Sequence, residues 1–382
     1  MSVPRIRVDG FNKNFEKKIF GEIVRSESTR MYIKSVVSDL GKYEVIQQGD
    51  IPILGYSDDR PFEKYKSVIL FGDHTLSLYR PKAPFLLATD GIKILQSTIL
   101  KRDYLYYLTQ NYIPKSQGYK RHFSVLKQVF VNYSRDSSEQ SAIGSLFRTL
   151  DDLLASYKDN LANYQSFKET MLFKMFPKTG QTVPEIRLDG FDGEWEKSKL
   201  KDVAHRVQGN DGRMDLPTLT ISASGGWMDQ IDRFSANIAG KEQKNYTLLK
   251  KGELSYNHGN SKLAKYGVVF ELQEYEEALV PKVYHSFRVN QLADSKFIEI
   301  MFSTKIPDRE LGKLISSGAR MDGLLNISFD DFMNISIIIP TIKEQQAISA
   351  YFSTLDNLIN SHREKISQLE TLKKKLLQDM FI

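Results

Sequence analysis

Val3-Pro4-Arg5-Ile6-Arg7-Val8-Asp9-Gly10-Phe11 returns as Val183-Pro184-Glu185-Ile186-Arg187-Leu188-Asp189-Gly190-Phe191, 180 residues later. Nine of 21 positions are identical between 3–23 and 183–203, and Phe15 is answered by Trp195. A second segment, Glu139 to Asp151, returns as Glu344 to Asp356 at an offset of 205, with nine of 17 positions identical between 139–155 and 344–360. Two matches in the same order argue against a chance likeness of two helices. The residues between them are not alike. One frame is therefore used twice, around inserts of roughly 15–137 and 195–341, and the second insert is longer by 25 residues. The chain divides into a globular domain over 1–137, a central helix over 138–177, a second globular domain over 178–341 and a distal helix over 342–382.

The two helices carry matching stripes. Ile143, Phe147, Leu150, Leu154, Tyr157, Leu161 and Tyr164 lie 205 positions before Ile348, Phe352, Leu355, Ile359, His362, Ile366 and Leu369. Their 4-3-4-3 spacing is that of a coiled-coil seam, and polar residues fill the other faces. Met171 and Met175, with Leu376 and Met380, continue the stripe, and Phe167 and Leu372 fall in the same phase. A helix of 38 residues is roughly 57 Å long and must bury such a stripe. The economical partner for each helix is the other one, in one intramolecular coiled coil with His362 opposite Tyr157 as a polar spot in the seam. A parallel pairing would put both globular units at one end and an antiparallel pairing at opposite ends. Two-fold-like recognition of a duplex favours the antiparallel form.

Both inserts are rich in short β-type runs split by turn residues. Val68–Phe71, Pro84–Ala88 and Gly91–Leu95 read as strands in the first. Leu216–Ser222, Gly267–Leu272 and Ile335–Ile339 read so in the second. Helices are expected near Asp103–Thr109 and Phe297–Phe302. Each insert is an α+β domain with a mixed sheet. Tyr43–Ile51 is similar to Tyr246–Leu254, and each is followed by a polar loop. The first loop offers Tyr56, Ser57 and Arg60. The second offers Asn257, His258, Asn260, Ser261, Lys262 and Lys265. Another pair of loops precedes the last strand and helix of each insert, with Lys115, Gln117, Tyr119, Lys120, Arg121 and His122 in one and Ser317 and Arg320 in the other. Arg and Gln suit guanine and adenine edges, and the lysines suit phosphates. Each loop read alone is equally an ordinary solvated turn.

The formal charge is +6 and the isoelectric point about 9.0, a modest surplus that favours polyanions. No apolar run approaches a membrane span, and no signal core follows Met1. The absence of cysteine rules out disulfides and thiolate metal sites and fits a reducing cytoplasm. No glycine-rich cofactor loop, P-loop or HExxH motif is present. The six histidines are dispersed. Pro307 to Lys313 has the wrong spacing for a Pro-Asp…Glu-x-Lys nuclease box.

The Val-Pro-x-Ile-Arg-x-Asp-Gly-Phe repeat, with Ile339-Pro340-x-Ile342-x-Glu344-Gln345-x-Ala347-Ile348 and its echo at Glu139-Gln140-x-Ala142-Ile143, resembles the specificity subunits of type I restriction–modification enzymes. The first copy departs from the pattern by lacking the Ile-Pro lead-in. The resemblance covers the whole chain. It implies a non-catalytic DNA reader, whose two target-recognition domains (1–137 and 178–341) each bind one half of a split target. The helix pair would fix the spacing. Two methyltransferase subunits, binding S-adenosylmethionine and modifying adenine at N6, would dock on it. Two motor-nuclease subunits using ATP and Mg2+ would join through them. The expected assemblies are a modifying trimer, of two methyltransferase subunits on one specificity chain, and a restricting pentamer, which adds the two motor-nuclease subunits. The rival readings are a coiled-coil scaffold with two protein-binding domains and an enzyme whose site carries no familiar motif.

Overall fold

The computed structural model describes residues 3–34, 36–118, 120–234, 240–259, 261–315 and 324–381. The chain divides into two compact units, one of Met1–Asn160 with His362–Ile382 and the other of Leu161–Ser361. Each long helix, Ser137–Lys174 and Ile342–Met380, gives one stretch to each unit.

In the first unit, the entry strand Glu16–Ile19 pairs antiparallel with Phe130–Tyr133. A four-stranded antiparallel sheet runs in the order Arg25–Glu27, Ile92–Gln96, Val68–Gly72, Leu78–Tyr79. Val68 to Gly72 is buried at every position, which a run without polar alternation requires. Its two faces serve two cores. Ile69 and Phe71 pack in the cluster that holds Phe147 and Phe381. Val68 and Leu70 pack with Ile46, Phe62 and Phe85. That is the period of two expected of a strand. The second core is closed by a three-stranded sheet in the order Ile53–Ser57, Tyr43–Ile46, Phe85–Leu87, its last pair parallel.

The second unit repeats the plan with other residues. Glu196–Lys199 pairs with Ser336–Ile339. A four-stranded antiparallel sheet runs in the order Ala204–Arg206, His285–Val289, Leu254–Asn257, Val268–Glu271. Two ribbons lie beside it, Leu219–Ser222 with Gly226–Asp229 and Thr247–Lys250 with Glu277–Val280, both antiparallel. The likeness of Tyr43–Ile51 to Tyr246–Leu254 is not carried into the topology. Ile53–Ser57 folds back on Tyr43–Ile46, whereas Leu254–Asn257 enters the middle of the four-stranded sheet.

The helices meet antiparallel within each unit. In the first, Ile143, Phe147, Leu150 and Leu154 share a core with Leu369, Leu377, Met380 and Phe381. Asp151 pairs with Lys373 and Lys158 with Glu370, so numbers rise on one helix as they fall on the other. The Tyr157 and His362 rings lie 5.4 Å apart, and Ile366 packs at the margin of this core. In the second unit, Ile348, Phe352 and Leu355 pack with Met175 and Phe176, and Lys168 pairs with Asp356. Ile359 is buried, and Leu161 and Tyr164 are half-buried.

Phe167 and Leu372 are a correction to the expected stripe, being 46% and 45% exposed. An α-helix of 3.6 residues per turn drifts by about 20° per heptad against a 3.5 repeat, so over several turns the buried face moves off the heptad positions. At this end the buried positions are Leu377 and Met380, and Leu372 is left outside.

The frame repeats at the level of bonds. Arg7 donates Nε to Glu139 Oε1 at 2.6 Å and Nη2 to Oε2 at 2.9 Å, while Arg187 makes the same pair with Glu344 at 2.8 and 2.7 Å. Gln140 donates to Ile99 O and Ser134 O and accepts from Lys101 N. Gln345 donates to Leu292 O and Pro340 O and accepts from Asp294 N. Each long helix ends on an entry segment, through Ile6 N to Asp379 O and Ile186 N to Lys174 O.

Candidate nucleic-acid interface

The loop after Gly55 leaves the edge strand Ile53–Ser57. Tyr56 is half-buried, and its backbone exchanges both hydrogen bonds with Ser38. Ser57 accepts from Asp59 N, and Lys34 sits 2.8 Å from Asp59, holding that carboxyl below its usual range. Arg60 is exposed. The loop thus presents one free-standing guanidinium over a braced turn.

Lys115, Gln117, Lys120 and Arg121 are all exposed, and Tyr119 lies outside the described residues. His122 is the correction here. It is fully buried. Its Nδ1 lies 3.0 Å from Asp73 O, and its Nε2 accepts from Gln117 N at 3.0 Å, which assigns the proton to Nδ1. Asp73 also accepts from Phe123 N. His122 cannot touch a base edge from there. It fixes the root of the loop, and Gly118, at φ +76°, makes the turn.

In the second unit, His258 is likewise interior, with Nδ1 2.8 Å from Leu325 O and Nε2 2.8 Å from Val283 O. It too is a brace and not a contact. Asn257 donates to Ile221 O and accepts from Gly259 N. Ser261, Lys262 and Lys265 are exposed, and Lys265 lies over the Tyr266 ring. Asn260, Ser317 and Arg320 lie outside the described residues. Gly259 bridges Leu324, and Leu325 N donates to His258 O. The start of the Asn257–Lys265 segment and the backbone at Leu324 and Leu325 are therefore tied together, as the sequence alone did not show.

Behind these loops lies a stack of rings, Tyr256 on Phe332 at 4.4 Å and His258 on His285 at 4.8 Å. Burial pushes the His285 imidazole down to about 4, so it is neutral at pH 7. Burial pushes the Glu271 carboxyl up to about 7, and Glu299 nearby adds to the rise. These groups are structural. Among the described residues no three metal-type side chains gather, and no helix is long and apolar enough to cross a membrane.

The sequence reading missed a cationic cleft of about 780 Å³ in the first unit. Tyr79-Arg80-Pro81-Lys82, Lys101-Arg102 and Arg148 line it. The dense cations around Pro81 and Leu100 were the available signal. Their convergence is a property of the fold.

The family model of the type I restriction modification DNA specificity domain matches residues 192–371. A specificity subunit of the type I restriction enzyme MjaVIII from Methanocaldococcus jannaschii is 20% identical over 314 residues, covering 76% of this chain and 72% of that one. Among solved structures, the type I restriction–modification S subunit from M. genitalium superposes with a TM-score of 0.62 at 14% identity, covering 100% of this chain and 99% of that one. The HsdS subunit from Thermoanaerobacter tengcongensis gives 0.43 at 14% identity, over 96% and 95% of the two chains.

Proposed function

We propose that this chain, whose residues 192–371 belong to the type I restriction modification DNA specificity domain family, is the DNA sequence-specificity subunit of a type I restriction–modification system. It is a reader and carries no catalysis of its own. The observation that carries the reading is the contrast between a repeated frame and unrepeated inserts. The Arg7–Glu139 and Arg187–Glu344 pairs hold the frame identically twice. The inserts keep one sheet order and change what hangs from it. Two different surfaces on one frame suit two different half-targets.

Each insert reads one half of a split duplex target. Arg60, Lys115, Gln117, Lys120 and Arg121 act for the first half, and Lys262 and Lys265, with Asn260 and Arg320, for the second. Cations on phosphates position the domain, and the amides and guanidinium groups read base edges. The paired helices set the gap between half-targets and dock two methyltransferase subunits. Those partners supply S-adenosylmethionine chemistry on a flipped adenine, and motor-nuclease subunits join through them with ATP and Mg2+. The complex works in the cytoplasm.

The test is to reconstitute the complex with its methyltransferase partners and map the methylated sites. A bipartite motif is expected. Exchanging 15–137 for a different insert should change one half of the motif only, and a change in both halves would sink the modular reading. Adding seven residues within 155–165 should distort the helix pair or lengthen the spacer. An unchanged motif and spacer would remove the ruler from the proposal.

A further inference from the structure

We propose that the cleft between the loop Tyr79–Lys82, the start of the helix Arg102–Tyr112 and the first turns of the helix Ser137–Lys174 grips the phosphodiester backbone of the first half-target. This rests on the specificity-subunit reading and adds to it a site away from the loops already named.

Charge is the first reason. Asp103 gathers three guanidinium groups, those of Arg80, Arg102 and Arg148, each at 3.5 Å. The cleft as a whole is lined by Lys66, Arg80, Lys82, Lys101, Arg102 and Arg148 against Asp103 and Asp152. With Asp151 on Arg80 counted as a third carboxylate, the cations still exceed the carboxylates by three. No contact is a close bidentate fork, so N–H donors remain for another anion. Arg80 is further held by Asp151 at 3.2 Å and by the Tyr106 ring at 4.5 Å, which fixes the floor in place. Lys66, Lys82 and Lys101 stand exposed on the rim, and none has an acidic partner among the described residues. Guanidinium groups gathered on Asp103 and exposed ammonium groups at the edge suit a run of phosphates better than a single small anion.

Shape is the second reason. A Cβ at Gly144 would stand 3.0 Å from Asp103 Cβ and 3.2 Å from Tyr104 N, so glycine lets the two helices close at the cleft floor. The tyrosines Tyr65, Tyr79 and Tyr106 offer flat walls beside the cations.

The third reason separates DNA from a protein partner. A subunit that docks twice on the repeated frame would use repeated residues. These are not repeated. Arg148 matches Ser353 and Gly144 matches Ser349 at the frame offset. Lys101, whose amide meets Gln140, corresponds to Asp294, whose amide meets Gln345. In the second unit Ser349 Oγ donates to Asp294, so a hydroxyl–carboxylate pair stands where the first unit has Gly144 and Lys101. The cleft belongs to one insert, as a half-target contact should.

The experiment uses the full chain assembled with its methyltransferase subunits. Lys82→Gln, Lys101→Gln and Arg148→Gln are combined, against a control of equal charge change at Lys13, Lys17 and Lys127. Binding to a duplex carrying the mapped target is measured across salt. Affinity should fall at least tenfold at physiological salt, and the slope of log K against log salt should flatten by roughly 2–3, at about 0.9 per phosphate contact. The methylated sequence should stay the same, because phosphate contacts position without specifying. A slope and affinity equal to the control would overturn the proposal. Failure of the triple variant to assemble with methyltransferase subunits before DNA is added would overturn it too, in favour of a protein dock. If the unaltered complex ignores DNA sequence, the specificity-subunit reading has failed instead.

Discussion

The frame and the inserts of this chain obey different rules. In the frame, matched residues make matched bonds. Arg7 and Arg187 hold Glu139 and Glu344, and Gln140 and Gln345 each bridge three backbone groups. In the inserts, the order of the four-stranded sheet repeats although the residues do not. What it carries differs. Val68 and Leu70 give the first sheet an apolar second face, whereas the second has Ser255 bonded to Ser286 on adjacent strands. Tyr43–Ile46 runs parallel to its neighbour Phe85–Leu87, and Thr247–Lys250 runs antiparallel to Glu277–Val280. A strand order needs only burial at alternate positions, which many sequences supply. A buried ion pair needs particular atoms, so the residues recur.

The sharpest way to break this contrast is to remove one frame arginine. Arg7→Ala and Arg187→Ala each strand a carboxylate that is almost wholly buried. Each should cost about 3–5 kcal/mol by chemical denaturation, and the two costs should agree. Unequal costs would show that matched geometry hides unmatched energetics.

An effect confined to the second insert should follow from Glu271. Its Oε2 is buried without a hydrogen-bond partner among the described residues. With the folded carboxyl near 7 and the unfolded one near 4.5, its stabilising contribution is present below pH 4.5. It is lost as pH rises toward 7, by up to about 3 kcal/mol at 1.36 kcal/mol per unit. His285 works the other way, losing stability as pH falls from 6.5 toward 4. Glu271→Gln isolates the first effect. Its melting temperature should exceed that of the unaltered chain by a margin that grows between pH 4.5 and 7.5. A margin independent of pH would refute the buried-carboxyl account.

Smaller effects sharpen the helix comparison. Double-mutant cycles on Asp151–Lys373 and Asp356–Lys168 should give about 0.2–1 kcal/mol each, since both pairs are partly solvated. Phe167→Ala and Leu372→Ala should change stability by no more than about 0.5 kcal/mol, as exposed positions do. A loss above about 2 kcal/mol at either would restore it to the seam.

The sequence was most legible where one interaction dominates. The all-apolar run Val68–Phe71 could only be a doubly covered strand, and the stripe from Ile143 to Leu154 could only be a buried helix face. It was less legible at the helix ends, where drift from the heptad moved Leu372 outward and Leu377 inward. It misled at His122 and His258. A polar ring beside basic or amide residues looks like surface, yet each ring is consumed by backbone groups. These are Asp73 O and the nearby Gln117 N for His122, and Leu325 O and Val283 O for His258. The cleft was invisible for the same reason. Tyr79–Lys82, Lys101–Asp103 and Gly144–Arg148 are separate in sequence, and only the fold makes their cations neighbours.

The hydrogen bond from Tyr112 to Phe381 O spans 269 positions. On the ribosome this sets a timetable. The first unit draws Leu369, Leu377, Met380 and Phe381 into the core that holds Tyr104 and Phe147, and those residues emerge only after all of Leu161–Ser361 has been made. The second unit lies in one unbroken stretch and can close as it emerges. The unit synthesised first is therefore the one completed last, and its open apolar face must be kept from other chains until Leu369 to Phe381 have emerged.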